Sequence, residues 1–338
     1  MKVRSHRVSD LVSWVCVPVT LMLYLHVYLE TTTTTTTTTT NNNPTNLQPV
    51  PPPLNVTSLA RPDLLLVTPI LRCGSTTLLH LLNLLAPRNG FKFAPRPPRQ
   101  AEYVHIPNDR VQEEIVSNLS SVATPAALME PFAYINFTRF GQSPPIHVAV
   151  IRDPVERAVS RFYQARAPFT LVERQQLFPG LKLPSRGFLK KDLETCLRSP
   201  RDPECKYPVG KPALGHTVEF FCGHNDYCPI FGDRAGLAAA MGGVESGWAV
   251  VGVLEEWNKT LAVMEGYVPR FFSGATQLYY EHIHPSKTRR NENFYRPSVE
   301  AEAVKFLRKG FELEYEFYEF VKQRLDHQYR ALEGRRRR

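Results

Sequence analysis

The sequence predicts an α/β protein in which a mainly parallel sheet is flanked by helices, preceded by one transmembrane helix and a disordered stem. Two observations predict the sheet: apolar runs at residues 64–68 and 147–152 are each followed by a short polar loop and a helical pattern. A third observation predicts the membrane helix, because residues 11–29 contain no Asp, Glu, Lys or Arg. Two strand–loop–helix units favour a parallel sheet with its ligand at the carboxyl ends of the strands.

The apolar N-terminal run matches one membrane span, since a helix of that length is about 28 Å long. Lys2, Arg4 and Arg7 precede it, and positive charge stays on the cytosolic side, so the rest of the chain faces the lumen. A cleaved signal peptide is the alternative, but no clear small-residue cleavage site follows. The expected organisation is a cytosolic tail (1–10), a signal anchor (11–29), a stem (30–60), a lumenal domain (61–330) and a basic tail (331–338).

The stem is of low complexity. Threonine fills residues 31–40, and a Pro-rich stretch follows to residue 53. This composition cannot bury a core and is typical of an extended, O-glycosylated stem. Four N-x-S/T sequons agree with a lumenal address and lie at Asn55, Asn118, Asn136 and Asn258.

Charge and cysteine content narrow the class further. The formal net charge is +9, and a mildly basic domain suits an anionic ligand. Four of the six cysteines cluster, at Cys196, Cys205, Cys222 and Cys228. In a secretory chain such a cluster predicts two short-loop disulfides. A zinc site is the alternative, but these spacings fit no common zinc signature.

The first loop, residues 69–77, predicts an anion site. Backbone N–H groups and the positive end of the following helix hold anions, and Ser75, Thr76 and Thr77 add hydroxyl donors there. The arrangement is P-loop-like, although the motif G-x-x-x-x-G-K-[ST] is absent. Simple capping of the helix by Ser and Thr is the alternative.

The second loop supplies a cation and a helix cap. Arg152 ends the apolar run, Asp153 is the expected N-cap, and Pro154 is the expected first helical residue. An arginine at a strand end can clamp a phosphate with two hydrogen bonds, and Ser160 follows on the helix. A structural Arg–Asp capping pair is the alternative.

These strings together resemble the lumenal uronyl 2-O-sulfotransferase and heparan sulfate 2-O-sulfotransferase family, including its insect relatives. The resemblance covers roughly residues 63–325. It is carried by residues 72–75 (RCGS), 136–141 (NFTRFG), 150–157 (VIRDPVER), 220–224 (FFCGH), 251–256 (VGVLEE), 269–276 (PRFFSGAT) and 314–320 (EYEFYEF).

The resemblance implies a reaction and the residues that serve it. Such enzymes move sulfuryl from 3′-phosphoadenosine 5′-phosphosulfate (PAPS) to the 2-hydroxyl of a uronic acid, and no metal is expected. Arg152 and Ser160 are implied to bind the 3′-phosphate, while Lys287 and Thr288 lie in a basic loop over the nucleotide. The resemblance pairs Cys196 with Cys205 and Cys222 with Cys228. The 5′-phosphosulfate is assigned to Arg72, Cys73, Gly74, Ser75, Thr76 and Thr77.

Two positions depart from the family pattern. The family has lysine where this chain has Arg72, which keeps the charge on a wider, planar head. The family's histidines before the F-x-N/D-F string are replaced by Met129, Pro131 and Ala133, none of which can accept a proton. Two residues are therefore candidates for the general base, namely the adjacent Glu130 and His105.

Three functions follow as alternatives. The first is an active, Golgi-membrane, single-pass type II 2-O-sulfotransferase acting on an anionic glycosaminoglycan or related glycan. The second is a catalytically impaired relative that binds PAPS, a glycan or a partner enzyme. A P-loop kinase is the third and weakest, since the Gly-Lys pair is missing. No nucleic acid partner is expected, and a homo-oligomer is left open. Proline-rich, basic residues 164–215 are either part of a glycan groove or an irregular surface insertion.

Overall fold

The two predicted strands lie in one five-stranded sheet. The computed structural model describes residues 53–95, 104–199, 202–213, 215–284 and 296–336. Neighbouring strands are all parallel, in the order β2-β3-β1-β4-β5. The strands are β1 (Arg61–Thr68), β2 (Lys92–Pro95), β3 (Ala126–Met129), β4 (Pro145–Ile151) and β5 (Trp248–Val253).

Helices connect and cover the strands. The first ones are α1 (Ser75–Asn89), α2 (Asp109–Ser120), α3 (Pro154–Gln164), α4 (Pro168–Leu177), α5 (Arg186–Lys190), α6 (Leu193–Arg198) and α7 (Thr217–Cys222). The later ones are α8 (Arg234–Gly247), α9 (Trp257–Tyr267), α10 (Pro269–Phe272), α11 (Ala275–Leu278), α12 (Ala301–Gly310) and α13 (Glu312–Arg336). Short 3₁₀ helices lie at Thr57–Leu59, Phe137–Phe140, Pro203–Cys205 and Leu254–Glu256, and a π-helix at Tyr279–Ile283. The mainly parallel, helix-flanked sheet predicted from the sequence is thus confirmed.

The central strands are apolar throughout because both faces of the sheet are covered. Leu65 and Val67 of β1 pack into the core on one face, whereas Leu64 and Leu66 pack into a second cluster on the other. A strand buried on both faces has no polar side to alternate with. This is why residues 64–68 form an unbroken apolar run.

Two helix boundaries differ from the sequence prediction. The leucine-rich residues 78–85 predict a helix that ends at Pro87, but α1 continues to Asn89. A proline this close to a helix C-terminus disturbs only the final turn. Residues 298–330 alternate charge with aromatic and leucine residues, which predicts one long amphipathic helix, but the structure has two helices there that meet at Phe311. The turn places the Phe311 ring against Tyr207 and Phe231 in a buried cluster.

Two of the basic side chains in the insertion at residues 164–215 form ion pairs with carboxylates of the insertion itself. Arg166 is buried, donates to both carboxylate oxygens of Glu204, and lies over the Phe162 ring. Lys191 pairs with Asp202 and Glu204. These two cations therefore hold the insertion together, and a glycan groove would have to use others.

The predicted anchor at residues 11–29 and residues 30–52 of the predicted stem lie outside the described residues. Among the helices of the described segments, none combines the length and the apolar character that crossing a membrane requires.

Candidate functional site

The loop between β1 and α1 delivers backbone groups to the carboxyl edge of the sheet. It turns tightly, with the Cys73 amide donating to the Ile70 carbonyl at 3.2 Å. Arg72 has φ +68° and Gly74 has φ +85°, so both lie in the left-handed region. Gly74 is the N-cap of α1 and offers no side-chain cap. The first N–H groups of a helix have no intrahelical partner, so this helix end is open to an anion.

The side chains of this loop contribute unequally. The Ser75 hydroxyl donates to the Ile70 carbonyl at 2.7 Å and keeps its lone pairs for accepting. Thr76 is exposed, whereas Thr77 is buried. The Cys73 side chain is buried, and burial raises the pKa of its thiol to about 11. Cys73 can therefore serve an anion only through its backbone.

The connection between β4 and α3 delivers a guanidinium group. Arg152 directly follows β4, and its Nη2 lies 3.2 Å from Glu156 Oε2. Its Nε lies 3.9 Å from Glu255 Oε1. Asp153 caps α3 by accepting from the Glu156 amide at 2.9 Å, as predicted, with Pro154 at the first helical position. Arg152 thus pairs with two glutamates and not with the capping aspartate.

The two loops meet at one point. The Arg72 Nε donates to the Ser160 hydroxyl at 2.9 Å, across 88 residues of sequence. The Arg152 Nη1 donates to the Arg72 carbonyl at 3.4 Å. Burial lowers the pKa of Arg72, and the positive charges of Arg152 and Arg296 lower it further. Three guanidinium groups close enough to repel one another favour the binding of an anion.

A buried arginine fixes the first loop from behind. Arg157 donates from Nε to the Leu71 carbonyl at 3.1 Å, and from its other nitrogens to Thr217 Oγ1 at 3.3 Å and the Gly215 carbonyl at 2.5 Å. Its donors are turned toward the protein, so Arg157 positions the loop by bonding its backbone to α7.

Helix α13 supports the same region with two phenol groups. Tyr315 donates to the Asp153 carboxylate at 2.9 Å, and Tyr318 donates to Glu255 Oε2 at 3.2 Å. Burial, and then the neighbouring carboxylate charge, raises the pKa of each tyrosine well above its ordinary value. Both tyrosines therefore remain protonated donors.

Glu130 emerges at the same edge of the sheet. It follows β3, which pairs with β1, and its amide donates to the Val67 carbonyl at 3.1 Å. The residue is half-buried. Pro131 and Ala133, which replace the family histidines, are both buried. Of the residues around the altered position, Glu130 thus combines a proton-accepting group with a place beside β1.

His105 lies in a different cluster. Its ring centroid is 5.7 Å from that of His224, and the Ile106 amide donates to His224 Nδ1 at 3.0 Å. Burial lowers the pKa of His105; burial and the neighbouring His105 lower that of His224 to about 4. His105 therefore contacts the segment after α7, which belongs to neither of the loops that carry Arg72 and Arg152.

The cysteines and sequons have definite places. Disulfides join Cys196 to Cys205 and Cys222 to Cys228, with Cα–Cα distances of 5.8 and 5.6 Å. These are the pairs that the resemblance implies, and they exclude the zinc alternative. The side chains of Asn118, Asn136 and Asn258 are exposed, and Asn55 is half-buried. Lys287 and Thr288 lie outside the described residues.

Sequence reasoning missed several residues of the site. Glu255, Arg296 and Tyr315 were not singled out as site residues, although Glu255 follows an all-apolar run that forms β5. The same rule that selected Arg152, a polar residue just after a buried strand, would have selected Glu255. Arg296 and Tyr315 follow no strand, so no local pattern marks them.

The fold and this site define an α/β protein that gathers arginine and hydroxyl groups at the carboxyl edge of a parallel sheet, where such proteins bind phosphorylated ligands. The resemblance predicted from the sequence is also confirmed, because homologues of this chain are named uronyl 2-sulfotransferase and heparan sulfate 2-O-sulfotransferase. No family model matches the chain.

Three relatives illustrate the similarity. The Drosophila melanogaster protein named uronyl 2-sulfotransferase homolog pip is 36% identical over 288 residues, covering 82% of this chain and 55% of that protein. Human uronyl 2-sulfotransferase is 28% identical, over 81% of this chain and 64% of the relative. Heparan sulfate 2-O-sulfotransferase 1 of Xenopus laevis is 32% identical, over 62% of this chain and 56% of the relative. The chain thus spans less than two thirds of the length of each.

Proposed function

We propose that this protein transfers the sulfuryl group of PAPS to the 2-hydroxyl of a uronic acid. The acceptor is a glycosaminoglycan of the heparan, dermatan or chondroitin sulfate type, or a related Golgi glycan. The observation that carries the proposal is the contact of Arg72 with Ser160, which joins two anion-binding loops at the open N-terminus of α1. The names of the homologues supply the reaction class.

The two loops divide the nucleotide between them. Residues 72–77 hold the 5′-phosphosulfate through backbone N–H groups at the start of α1, and the exposed Thr76 hydroxyl is a further donor. Arg152 and Ser160 hold the 3′-phosphate. Lys287 and Thr288 cover the nucleotide in this proposal, as the family resemblance implies.

The reaction is one displacement at sulfur. The acceptor hydroxyl oxygen forms a bond to sulfur while the bond from sulfur to the 5′-phosphate oxygen breaks, and 3′-phosphoadenosine 5′-phosphate leaves. Arg72 neutralises the charge that develops on the leaving oxygen. Its hydrogen bond to Ser160 holds the guanidinium in place, so an arginine can act where the family has lysine.

Glu130 is the proposed general base, and its carboxylate takes the proton from the acceptor hydroxyl. Its place beside β1 favours it over His105, which contacts the segment after α7. The lowered pKa of His105 favours its neutral imidazole, which can accept a proton, so it is the second candidate.

A Golgi lumenal location completes the proposal. The two disulfides suit an oxidising compartment, and three of the four sequons are exposed. The predicted type II anchor at residues 11–29 is part of this proposal.

Transfer of radiolabelled sulfuryl from PAPS to a panel of desulfated glycosaminoglycans tests the function in the full-length chain. We expect labelled product, with the Glu130→Gln variant slower by about 10²–10⁴-fold, the usual contribution of a general base. Glu113→Gln, an exposed change on α2, is the matched control and should retain the wild-type rate. His105→Ala distinguishes the second candidate.

The buried proline at position 131 favours a second function, which is nucleotide binding without efficient turnover. Wild-type protein that binds 3′-phosphoadenosine 5′-phosphate but labels no acceptor would support that alternative. Pro131→His should then raise the rate. Robust turnover that survives both Glu130→Gln and His105→Ala would show that another residue is the base.

A further inference from the structure

Arg296 reaches the anion site from a distant part of the chain. It precedes α12, and its Nη2 lies 2.8 Å from Glu156 Oε2. The same carboxylate oxygen lies 3.2 Å from Nη2 of Arg152. One carboxylate oxygen of α3 therefore bridges two guanidinium groups.

The bridge is accessible to a ligand. The Arg296 side chain is 29% exposed and that of Glu156 is 46% exposed. A partly exposed ion pair stabilises a fold by only about 0–1 kcal/mol, so the pair alone does little to hold the chain together. Two guanidinium groups that converge on one oxygen do, however, present the donors that a phosphate group accepts.

The charges around Arg72 also indicate that Arg296 belongs to the anion site. Arg72 makes no ion pair among the described residues, and the charges of both Arg152 and Arg296 lower its pKa. The three arginines therefore share one electrostatic environment. The carboxylates that contact Arg152, from Glu156 and Glu255, offset this positive charge without reaching Arg72.

We propose that Arg296 is a third arginine of the nucleotide site and binds the same 3′-phosphate as Arg152. The inference rests on the proposed function, since it deepens the assignment of that phosphate. In the nucleotide-free molecule Glu156 holds the two guanidinium groups side by side. A 3′-phosphate then accepts hydrogen bonds from both, which makes the site selective for a nucleotide that carries this group.

Calorimetric titration of the full-length protein tests the inference with two probes, 3′-phosphoadenosine 5′-phosphate and adenosine 5′-phosphate. The second probe lacks the 3′-phosphate. Arg296→Ala should weaken binding of the first probe about tenfold, the scale of one charged hydrogen bond. The same variant should leave the affinity for the second probe unchanged, and Arg296→Lys should retain part of the affinity that Arg296→Ala loses.

Arg234→Ala is the matched control, because Arg234 is an exposed arginine that pairs with one glutamate, Glu316, at 3.2 Å. It should bind both probes like the wild type. Equal affinity of Arg296→Ala and wild type for the first probe, or equal losses for both probes, would overturn the inference. Wild-type protein that binds neither probe would instead refute the proposed function. Thermal unfolding confirms that each variant is folded, and Arg296→Gln replaces Arg296→Ala if the latter is not.

Discussion

The N-termini of α1 and α3 lie at the same edge of the sheet but are built in opposite ways. Helix α1 begins after Gly74, which has no side chain to cap it. Helix α3 begins after Asp153, whose carboxylate accepts from the Glu156 amide and from the Tyr315 hydroxyl. The first helix end is open to a ligand, whereas the second is already filled by a carboxylate of the protein.

The difference teaches that the two loops would bind the proposed nucleotide by different means. The loop before α1 offers backbone N–H groups and the positive end of the helix dipole. The N-terminus of α3 cannot offer its N–H groups in this way, because Asp153 caps it. This region contributes side chains instead: Arg152 beside the cap and Ser160 two turns into the helix. A substitution before α3 should therefore act through side-chain chemistry, whereas the loop before α1 should also respond to changes in its backbone conformation.

Removing the Arg152 guanidinium, which lies beside the filled N-terminus of α3, should have the largest effect on nucleotide binding. Arg152→Ala should weaken binding of 3′-phosphoadenosine 5′-phosphate by roughly 1.5–3 kcal/mol, the scale of a hydrogen bond to a charged group. The loss also leaves the Glu255 carboxylate without its arginine partner near the phosphate, whereas Glu156 keeps its pair with Arg296. Calorimetry measures the change, with Arg234→Ala as control. Equal affinities of variant and wild type would remove Arg152 from the site.

Altering the backbone at the open N-terminus of α1 should have the second largest effect. Gly74→Ala places a side chain at φ +85° and brings a Cβ within 3.0 Å of Leu254 Cδ1. We expect a loss of about 1–2 kcal/mol in unfolding free energy, together with weaker nucleotide binding as the loop shifts. Gly90→Ala is the matched control, because Gly90 has φ +65° at the other end of α1 with nothing within 4 Å. If both variants lose stability and neither loses affinity, the α1 N-terminus does not bind the nucleotide.

Emptying the filled cap should affect stability more than binding. Asp153→Ala removes the acceptor for the Glu156 amide and for Tyr315, at a cost of about 0.5–2 kcal/mol in unfolding free energy. Denaturant titration measures this cost. A drop in nucleotide affinity as large as that of Arg152→Ala would mean that both helix ends bind the anion.

The smallest effect should come from the Cys73 side chain. Cys73→Ala should leave nucleotide affinity unchanged, because the thiol is buried and only the backbone faces the loop. The folded-state pKa of about 11 lies above the ordinary value of 9.0. The contribution of this group to stability is therefore complete below about pH 9 and is lost as the pH rises toward 11. Peptide mapping after treatment of the native protein with iodoacetamide at pH 8 should show slow alkylation of Cys73, and rapid labelling of Cys73 would contradict the burial.

Local patterns predicted the parts of this site that depend on local chemistry. The apolar runs of β1 and β4 and the Asp153–Pro154 start of α3 follow from solvent exclusion and helix capping within a few residues. The contact of Arg72 with Ser160 joins groups 88 residues apart, and only the strand order places them together. Arg296 is beyond prediction for the same reason, since its partner Glu156 lies 140 residues away.

Boundaries failed where packing overrode the local pattern. The charge and apolar pattern of residues 298–330 continues across the break at Phe311, where that ring packs against Tyr207 of the insertion and against Phe231. The position of Glu130 beside β1 depends on β3, a strand of only four residues that carries too little pattern to detect. The sequence therefore narrowed the candidates for the general base to Glu130 and His105, but it could not distinguish between these two residues.

The tyrosines of α13 have a consequence for how the protein is synthesised. Tyr315 and Asp153 are 162 residues apart, so Asp153 leaves the ribosome long before Tyr315 does. The strands of the sheet can pair while α13 is still being translated, but Asp153 and Glu255 receive their phenol donors only after residue 318 has emerged. A nascent chain that stops short of α13 should therefore form much of the sheet yet lack the finished candidate site, so binding of the proposed nucleotide would begin only after translation passes this helix.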